Sequence, residues 1–306
     1  MFNKIPNGVW PTMITPFTKE NEVDYLGLER LIEWYIERNV NGLFAVCQSS
    51  EVFYLSLKER LKLARFIVEK VNGRIPVIAG GNISESITDQ IEEIRAMSQT
   101  GTSATVLLVN RLASPHDSEQ VLKENLSKIL NQVPNIKFGL YECPYPFHRL
   151  LSAETLQWVA ETNRFLFIKE TSCNLNTIKS KIDAVKKSDL KIFNANAATF
   201  KESLEMGVSG YSGIMANFHP ELYVWLVENW FKESEEAEAL QHFLSVASVY
   251  ENQLYPTNAK YYLILEGLNI SEKSRVHYNR NLKPSQKIEI EHLRSLTEKY
   301  IQRLKM

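Results

Sequence analysis

Short apolar runs alternate with longer amphipathic segments along the first three quarters of the chain. The runs recur roughly every 25 to 30 residues, and each has the length of a single strand. Runs without a polar face are typical of parallel sheets, which helices cover on both sides. We therefore predict eight strands, at residues 8–15, 42–46, 76–80, 104–109, 136–141, 165–169, 190–194 and 210–213.

An amphipathic segment with helical spacing follows each predicted strand. One of them begins with Ser56 and Glu59, a capping-box pattern in which each side chain satisfies a free backbone donor. The predicted helices cover residues 24–39, 56–71, 86–100, 118–132, a segment that starts at 152, then 174–187, 199–206 and 220–231. Eight successive strand–helix units predict an α/β fold of the (β/α)8 TIM-barrel type.

The last quarter of the chain contains helical patterns with charged faces and no predicted strand. Its predicted helices cover residues 233–250, 258–267 and 285–305. We therefore assign residues 1–232 to the barrel and residues 233–306 to a helical C-terminal extension packed on it. An open doubly wound sheet is disfavoured because it usually has a glycine-rich first turn, which this sequence lacks.

The composition excludes several classes of function. Hydrophobic residues make up 44% of the chain, charged residues 23%, and the net charge is -1. No basic run suggests nucleic acid as a partner, and no apolar run is long enough to span a membrane. The first residues lack the apolar core of a secretory signal, so we expect a cytoplasmic protein.

Three cysteines, Cys47, Cys143 and Cys173, are too few and too widely spaced for a disulfide framework or a structural zinc site. We interpret each as a small apolar residue, because none has an evident paired base. The chain also lacks a zinc-binding helix motif and a glycine-rich phosphate loop. We therefore expect no metal and no other cofactor.

Lys169 ends the sixth predicted strand, directly after three large apolar residues and an isoleucine. The simplest interpretation is a lysine that leaves a strand for a solvated loop. A lysine held in an apolar pocket would instead lose its charge readily and become a nucleophile. A barrel favours the second interpretation, because the carboxyl ends of its strands would bring Lys169, Tyr141 and the loop after Val46 to one mouth.

Six short motifs occur in order along this pattern: Thr15-Pro-Phe17, Cys47-Gln-Ser-Ser-Glu51, Tyr141-Glu-Cys-Pro144, Ile168-Lys-Glu170, Gly207 through Asn217, and Asn258-Ala-Lys260. Over nearly its whole length the chain resembles the dihydrodipicolinate synthase / N-acetylneuraminate lyase family of class I aldolases. The family counterparts are T-P-F, G-T/S-T-G-E, Y-N-x-P, I-K-E/D, a glycine-rich segment ending in A-N, and P-x-K-x-A. Each motif is weak alone, but six in the right order form a strong signal.

The resemblance implies that Lys169 forms a Schiff base with pyruvate or another 2-oxo acid. It implies that Tyr141 gives and recovers protons during the reaction. Ser49 and Gln48 stand where the family binds the substrate carboxylate, although Gln48 replaces a smaller hydroxyl residue. Glu51 is expected to be a structural acceptor for loop N–H groups rather than a catalytic acid.

The remaining substrate contacts are expected from four residues near the strand ends: Thr171, Ser172, Asn196 and Ser209. Two departures argue against dihydrodipicolinate synthesis. Leu112 stands where synthases have a tyrosine that reaches the neighbouring subunit, and Pro146 stands where they have an arginine. We therefore favour retro-aldol cleavage of a 2-oxo acid with a polar tail.

Condensation and dehydration on the same Schiff base stay open as alternatives. A non-catalytic protein that binds or senses 2-oxo acids is the main alternative of another class, because the loop at Cys47–Ser50 is altered. A phosphate-binding barrel isomerase is a weaker one, suggested by Gly207 and Gly210 near the eighth strand. By resemblance alone, we expect a homo-oligomer, either a dimer or a tetramer.

Overall fold

The computed structural model describes residues 5–232 and 235–306, and these residues form one sheet of eight parallel strands. The strands are β1 (Gly8–Val9), β2 (Leu43–Ala45), β3 (Val77–Gly80), β4 (Ala104–Leu108), β5 (Phe138–Tyr141), β6 (Phe165–Glu170), β7 (Lys191–Asn194) and β8 (Gly210–Tyr211). Their order in the sheet is β1, β8, β7, β6, β5, β4, β3, β2. Thr12 pairs with Phe44 between the two end strands, and the Phe44 N–H donates to the Pro11 carbonyl at 3.0 Å. These contacts close the predicted barrel.

Helices separate consecutive strands, as predicted, and then continue to the end of the chain. They are α1 (Tyr25–Glu37), α2 (Leu57–Val71), α3 (Ile87–Ser98), α4 (Glu119–Gln132), α5 (Ala153–Glu161), α6 (Leu175–Val185), α7 (Phe200–Met206), α8 (Pro220–Asn229), α9 (Glu235–Ala247), α10 (Thr257–Leu265) and α11 (Pro284–Arg303). Side-chain caps fix the start of several of them. Ser56 accepts from the Glu59 N–H while the Glu59 carboxylate accepts from the Ser56 N–H, which confirms the capping box.

The first strand is much shorter than the predicted 8–15, because the regular ladder stops at Val9. Pro11 has no N–H and cannot donate a ladder hydrogen bond. The chain beyond it pairs with β2 only at Thr12. The other strands differ from their predicted bounds by one or two residues.

Aromatic rings fill the barrel interior below its mouth. The Phe167 and Phe193 rings stack with centroids 4.6 Å apart, while the Trp10 and Phe44 rings lie against Phe167 at 5.6 and 6.0 Å. All four side chains are fully buried. Because side chains alternate along a strand, Lys169 continues the same inward-facing row two residues after Phe167. The sheet therefore places this lysine on an apolar floor.

The described part of the C-terminal region forms the helices α9, α10 and α11 and no strand, as predicted. The expectation of charged faces is wrong for α10, because most of this helix is buried. The helix α10 is buried because it packs against the barrel, where Lys260 donates a hydrogen bond to Glu51 in the loop after β2. The predicted boundary at 232/233 lies at the edge of residues 233–234, which are outside the described part, and it stays a prediction. No described helix combines the length and the apolarity needed to cross a bilayer.

Candidate active site

Lys169 lies at the carboxyl end of β6 and is only 4% exposed. Its Nζ lies 4.8 Å from the centroid of the Tyr141 ring. Among the described residues, Nζ has neither a hydrogen-bond acceptor nor an ion-pair partner. Burial lowers the pKa of Lys169, and nearby thiols and the Glu251 carboxylate oppose this shift only in part. The neutral amine that a nucleophilic lysine needs is therefore favoured here.

Tyr141 is the neighbour of Lys169 in the sheet, since the two Cα atoms pair across β5 and β6. Its hydroxyl donates to Oε1 of Gln48 at 3.1 Å. Burial raises the pKa of Tyr141 well above its ordinary value, so the phenol holds its proton at neutral pH. Cys143 Sγ donates to the same Gln48 oxygen at 3.4 Å, and burial raises the pKa of this thiol to about 11. Tyr141 is thus a protonated phenol beside the lysine, and Cys143 is a protonated thiol.

The loop after β2 has a constrained backbone. Val46 and Glu51 both have left-handed conformations, with φ of 49° and 62°. This is unusual for a β-branched residue such as valine and costs free energy unless the surroundings enforce it. Ser50 contributes to that enforcement, because its Oγ accepts from the Cys47 N–H at 3.1 Å and donates to the Met13 carbonyl at 2.6 Å. The loop is therefore held in one shape.

This shape leaves two backbone donors available at the cavity. The N–H groups of Gln48 and Ser49 have no acceptor in the described parts of the chain, and both residues line the cavity. The Ser49 hydroxyl donates to Thr12 Oγ1 at 3.1 Å. Consecutive free N–H groups form a concave anion-binding surface. The loop can therefore hold a carboxylate near Lys169.

Glu51 has a structural role, as predicted, but its hydrogen-bond donors lie in the C-terminal extension and not in its own loop. Its Oε1 accepts from Lys260 Nζ at 2.8 Å. Its Oε2 accepts from the Ser274 hydroxyl at 3.0 Å and from the Val276 N–H at 2.8 Å. Both oxygens are occupied, so Glu51 is not available as a catalytic acid. The contacts also tie the C-terminal extension to the barrel loop.

A second buried lysine lies just outside the barrel wall. Lys181 on α6 donates to Glu142 Oε1 at 2.6 Å and to Glu170 Oε1 at 2.9 Å. All three side chains are fully buried. Glu142 and Glu170 follow Tyr141 and Lys169 directly in sequence, and successive strand residues face opposite sides. This ion cluster therefore fixes the strand ends that carry the two inward-facing residues.

Lys169 and Tyr141 open onto a cavity of about 430 Å³ at the barrel mouth. This size is typical of a small-molecule site. Its lining combines barrel residues with residues of the C-terminal extension: Gln48, Ser49, Glu51, Phe53, Tyr54, Tyr141, Pro144, Tyr145, His148, Lys169, Thr171, Cys173, Ala195, Asn196, Ile214, Glu251, Tyr255, Pro256 and Val276. Within residues 5–232 and 235–306, no group of three or more His, Cys, Asp or Glu side chains is arranged to hold a metal ion.

Comparison with known proteins decides the identity of this arrangement, because residues 5–298 match the Dihydrodipicolinate synthetase family. The chain belongs to this family. Its members are lyases of the class I aldolase type, and this chain is one of these enzymes. The match covers the barrel and most of the C-terminal helices.

Two archaeal relatives illustrate the sequence likeness within the dihydrodipicolinate synthetase family. The 4-hydroxy-tetrahydrodipicolinate synthase of Methanococcus aeolicus is 30% identical over 238 residues, which are 75% of this chain and 78% of the relative. The enzyme of the same name from Methanococcus maripaludis is 29% identical over 222 residues, or 72% and 74% of the two chains.

Solved structures of the family share the fold. A dihydrodipicolinate synthase structure, 25% identical, has a TM-score of 0.80 and covers 97% of this chain and 99% of its own. YagE, a prophage protein of the dihydrodipicolinic acid synthase family from E. coli K12, was solved in complex with pyruvate. It has a TM-score of 0.83 at 22% identity, with 98% of both chains covered.

Thr171 and Asn196, predicted from the family resemblance to contact the substrate tail, do line the cavity. The Thr171 hydroxyl donates to the Glu142 carbonyl at 2.7 Å, and its oxygen lies 2.8 Å from His148 Nε2. Since the hydroxyl proton is engaged, Nε2 of His148 is the donor in the second contact. The Asn196 Oδ1 accepts from the Thr199 N–H at 3.0 Å, and the Asn196 side chain is also hydrogen bonded to the Cys173 thiol.

Ser209 was predicted to contact the substrate, and the structure corrects this. The residue precedes β8 and therefore lies at the amino end of the barrel, away from the mouth. Its N–H donates to the Ile192 carbonyl at 2.7 Å, and its carbonyl accepts from the Gly8 N–H at 2.9 Å. The strand predicted at 210–213 does begin at Gly210, as β8 does. Ser209 lies before this start, at the amino end of the strand, so its side chain cannot reach the cavity. Ser172 follows Thr171 but does not line the cavity either.

Several lining residues of the cavity were not predicted, among them Glu251 and Tyr255. Tyr255 has a supporting position, because its hydroxyl accepts from Asn217 Nδ2 at 3.1 Å and is hydrogen bonded to Ser49. The only sequence signal for it was its nearness to the motif at Asn258. Glu251 and Tyr255 both come from the segment between α9 and α10, whose position over the mouth has no local sequence pattern.

Proposed function

We propose that this enzyme forms a Schiff base between Lys169 and pyruvate, or a 2-oxo acid derived from pyruvate. One observation carries the proposal: a buried lysine without a counter-ion lies beside a protonated tyrosine at the mouth of a barrel of this family. The neutral amine attacks the ketone carbon to give a carbinolamine. Loss of water from the carbinolamine then leaves an iminium ion, which accepts an electron pair in the next step.

Tyr141 moves the protons in this sequence. Its hydroxyl protonates the carbinolamine oxygen, which departs as water, and the resulting phenolate can take a proton from a substrate hydroxyl. The Gln48 amide oxygen holds the phenol in place at 3.1 Å. The substrate carboxylate binds the free N–H groups of Gln48 and Ser49, which fixes the ketone over the Lys169 amine.

We propose retro-aldol cleavage as the reaction that follows. Removal of the proton from the hydroxyl two carbons beyond the iminium carbon breaks the intervening C–C bond. The electron pair moves to the iminium nitrogen, an aldehyde leaves, and the enamine is protonated and hydrolysed to pyruvate. Leu112 supports this direction, because it is 1% exposed in its own chain and has no proton to relay. No arginine lines the described cavity, where a synthase would bind a second carboxylate.

Condensation is the second candidate, and the relatives named 4-hydroxy-tetrahydrodipicolinate synthase favour it at up to 30% identity. It uses the same iminium, as does dehydration of a 2-oxo acid. A panel of 2-oxo-3-deoxy sugar acids distinguishes these outcomes: cleavage releases pyruvate, whereas dehydration yields a product with all the substrate carbons. Pyruvate consumption with aspartate semialdehyde would indicate condensation.

Borohydride trapping tests the Schiff base directly. We expect pyruvate with borohydride to add one pyruvyl group to the intact protein, on Lys169, and the Lys169→Ala variant to stay unmodified. An unmodified wild-type protein, under conditions that label a control aldolase, would contradict the proposal. Labelling without turnover of any 2-oxo acid would instead favour the non-catalytic binding protein. We also propose a homo-oligomer by family likeness, which light scattering on the purified protein measures.

A further inference from the structure

Glu251 is an acidic residue of the cavity for which the Schiff-base chemistry provides no role. It lies in the short 3-10 helix Ser248–Asn252, between α9 and α10, and is half-buried. It lines the same cavity as Lys169, and each side chain's charge acts on the other. Its carboxylate has no hydrogen-bond or ion-pair partner in the described residues. A half-buried acid that faces a cavity without a partner is available to a ligand.

The other acid of the cavity, Glu51, shows what a structural carboxylate looks like here. Both of its oxygens are occupied, by Lys260, by Ser274 and by a backbone N–H. Glu251 forms no such contacts, although it lies in the same C-terminal extension as the partners of Glu51. The difference indicates that Glu251 does not hold the fold together.

Cations are scarce around Glu251, which constrains the substrate. Lys169 is the one lysine among the described lining residues, and no arginine lines the cavity. His148 is no substitute, because burial lowers its pKa and leaves the ring neutral near pH 7. A substrate with a second carboxylate would therefore find no cation for it, and would meet a like charge whenever Glu251 is ionised. A substrate with hydroxyl groups would instead donate hydrogen bonds to the carboxylate.

We propose that Glu251 is the specificity-determining residue of the cavity, that it accepts hydrogen bonds from hydroxyl groups on the substrate tail, and that it rejects 2-oxo dicarboxylates. This inference rests on the proposed Schiff-base function. The substrate class is then the hydroxylated 2-oxo monocarboxylic acids. The Asn196 amide and His148 lie in the same cavity and provide neutral polar groups for the same tail.

Formation of the iminium should increase the negative charge of Glu251, which suits a residue that accepts hydrogen bonds. Burial raises the pKa of Glu251 to about 7, and a positive charge at the Lys169 nitrogen opposes this rise. The iminium carries a positive charge that does not depend on pH. Its formation therefore favours the carboxylate form of Glu251, which is the stronger acceptor for hydroxyl groups.

Glu251→Gln tests this role, with Glu236→Gln as the matched control. The control removes an equal charge from an exposed position on α9. Borohydride trapping on Lys169, followed by intact mass, gives the concentration of each 2-oxo acid that labels half of the protein. The three ligands are pyruvate, a 2-oxo-3-deoxy hexonic acid and a hydroxylated 2-oxo dicarboxylic acid. This readout does not require turnover.

We expect Glu251→Gln to raise the half-labelling concentration of the hydroxylated monocarboxylic acid about 10- to 100-fold, since a hydrogen bond to a charged group is lost. Labelling by the dicarboxylic acid should improve, and labelling by pyruvate, which has no tail, should change little. The Glu236→Gln control should match the wild type with all three ligands. Pyruvate labelling with an unchanged preference between the two tailed acids would overturn this inference alone. Failure of pyruvate to label the wild type would remove the proposed function and this inference together.

Discussion

Two lysines in this enzyme are almost equally buried, yet their surroundings differ completely. Lys169 is 4% exposed and Lys181 is 0% exposed. Lys181 has carboxylate oxygens at 2.6 and 2.9 Å, whereas Lys169 has none in contact and lies over an aromatic floor. The comparison teaches that burial alone does not distinguish the two lysines. The difference is the counter-ion, because no carboxylate in contact with Lys169 stabilises its ammonium form, whereas two do so for Lys181.

The two environments are one residue apart on β6. Lys169 faces the barrel interior, and Glu170 faces α6, where it accepts from Lys181. The strand thus separates a carboxylate from the lysine next to it in sequence. Lys260 is paired as Lys181 is, since its Nζ lies 2.8 Å from the buried Glu51 carboxylate. Four predictions test this contrast, and they are ordered from the largest expected effect to the smallest.

Replacing Lys169 with methionine should abolish turnover and borohydride trapping. Methionine fills a similar volume but has no amine, so no iminium can form. We expect a loss of at least about 10⁴-fold in kcat/KM, as for other covalent nucleophiles. Pyruvate release from the best substrate measures it, with Lys179→Met on the exposed face of α6 as the control. Residual trapping at wild-type rate would show that another lysine is the nucleophile.

Tyr141→Phe should lower kcat by about 10² to 10⁴, the usual contribution of a positioned acid–base group. The ring and its contact with Phe44 remain, so binding of the 2-oxo acid should be nearly retained. Single-turnover trapping should show slow iminium formation in this variant. A fall confined to KM would contradict the proton-transfer role and indicate a packing role instead.

Lys181→Met should destabilise the fold by about 3–5 kcal/mol, because it leaves Glu142 and Glu170 buried without their cation. Burial already raises the pKa of Glu142, and Lys181 opposes that rise. Without Lys181, ionised carboxylates should penalise the folded state above the ordinary glutamate pKa. The penalty should therefore shrink as the pH falls towards about 4.3.

Denaturant unfolding at several pH values measures this destabilisation. Lys179→Met should change the free energy of unfolding by less than about 0.5 kcal/mol, since its pair with Asp183 is solvent-exposed. A cost for Lys181→Met that does not depend on pH would mean that lost packing, rather than the unpaired carboxylates, causes it.

Lys169→Met should stabilise the protein while it abolishes activity, by about 0.5–2 kcal/mol near neutral pH. The folded pKa of Lys169 is lowered, so the unfolded chain binds the proton more strongly. Wild-type stability should therefore rise with pH up to the pKa of an unfolded lysine, about 10.4. The advantage of the methionine variant should shrink over the same range.

Unfolding curves of the wild type and Lys169→Met across this pH range check the prediction. Lys181→Met, with the opposite sign of effect, is the matched comparison. Equal destabilisation by both variants would break the contrast between the two lysines.

The sequence was sufficient to predict the barrel and the proximity of Lys169 and Tyr141, and the reasons are local. Apolar runs of strand length predict the strands, and capping residues such as Ser56 predict where the helices begin. Lys169 and Tyr141 end adjacent strands, so the barrel topology alone places them together.

The places of other residues in the structure depend on contacts between distant parts of the chain, which a local sequence pattern does not show. Ser209 was misplaced because one residue decides whether a side chain lies before or after a two-residue strand. Glu251 and Tyr255 were missed because tertiary packing, and not the local sequence, determines the path of the C-terminal extension over the mouth. Lys181 was not singled out, since a lysine on a helix is usually solvated.

The ion pair between Glu51 and Lys260 joins residues 209 positions apart in the chain. A ribosome therefore makes the loop after β2, and all eight strands, before the cation for Glu51 exists. Until Lys260 has emerged, the Glu51 carboxylate of the growing chain has no buried cation and must stay hydrated. The eight strands can therefore be present while the loop after β2 still lacks its contacts with the C-terminal extension. This loop acquires its last buried partners late in synthesis, when the final helices dock.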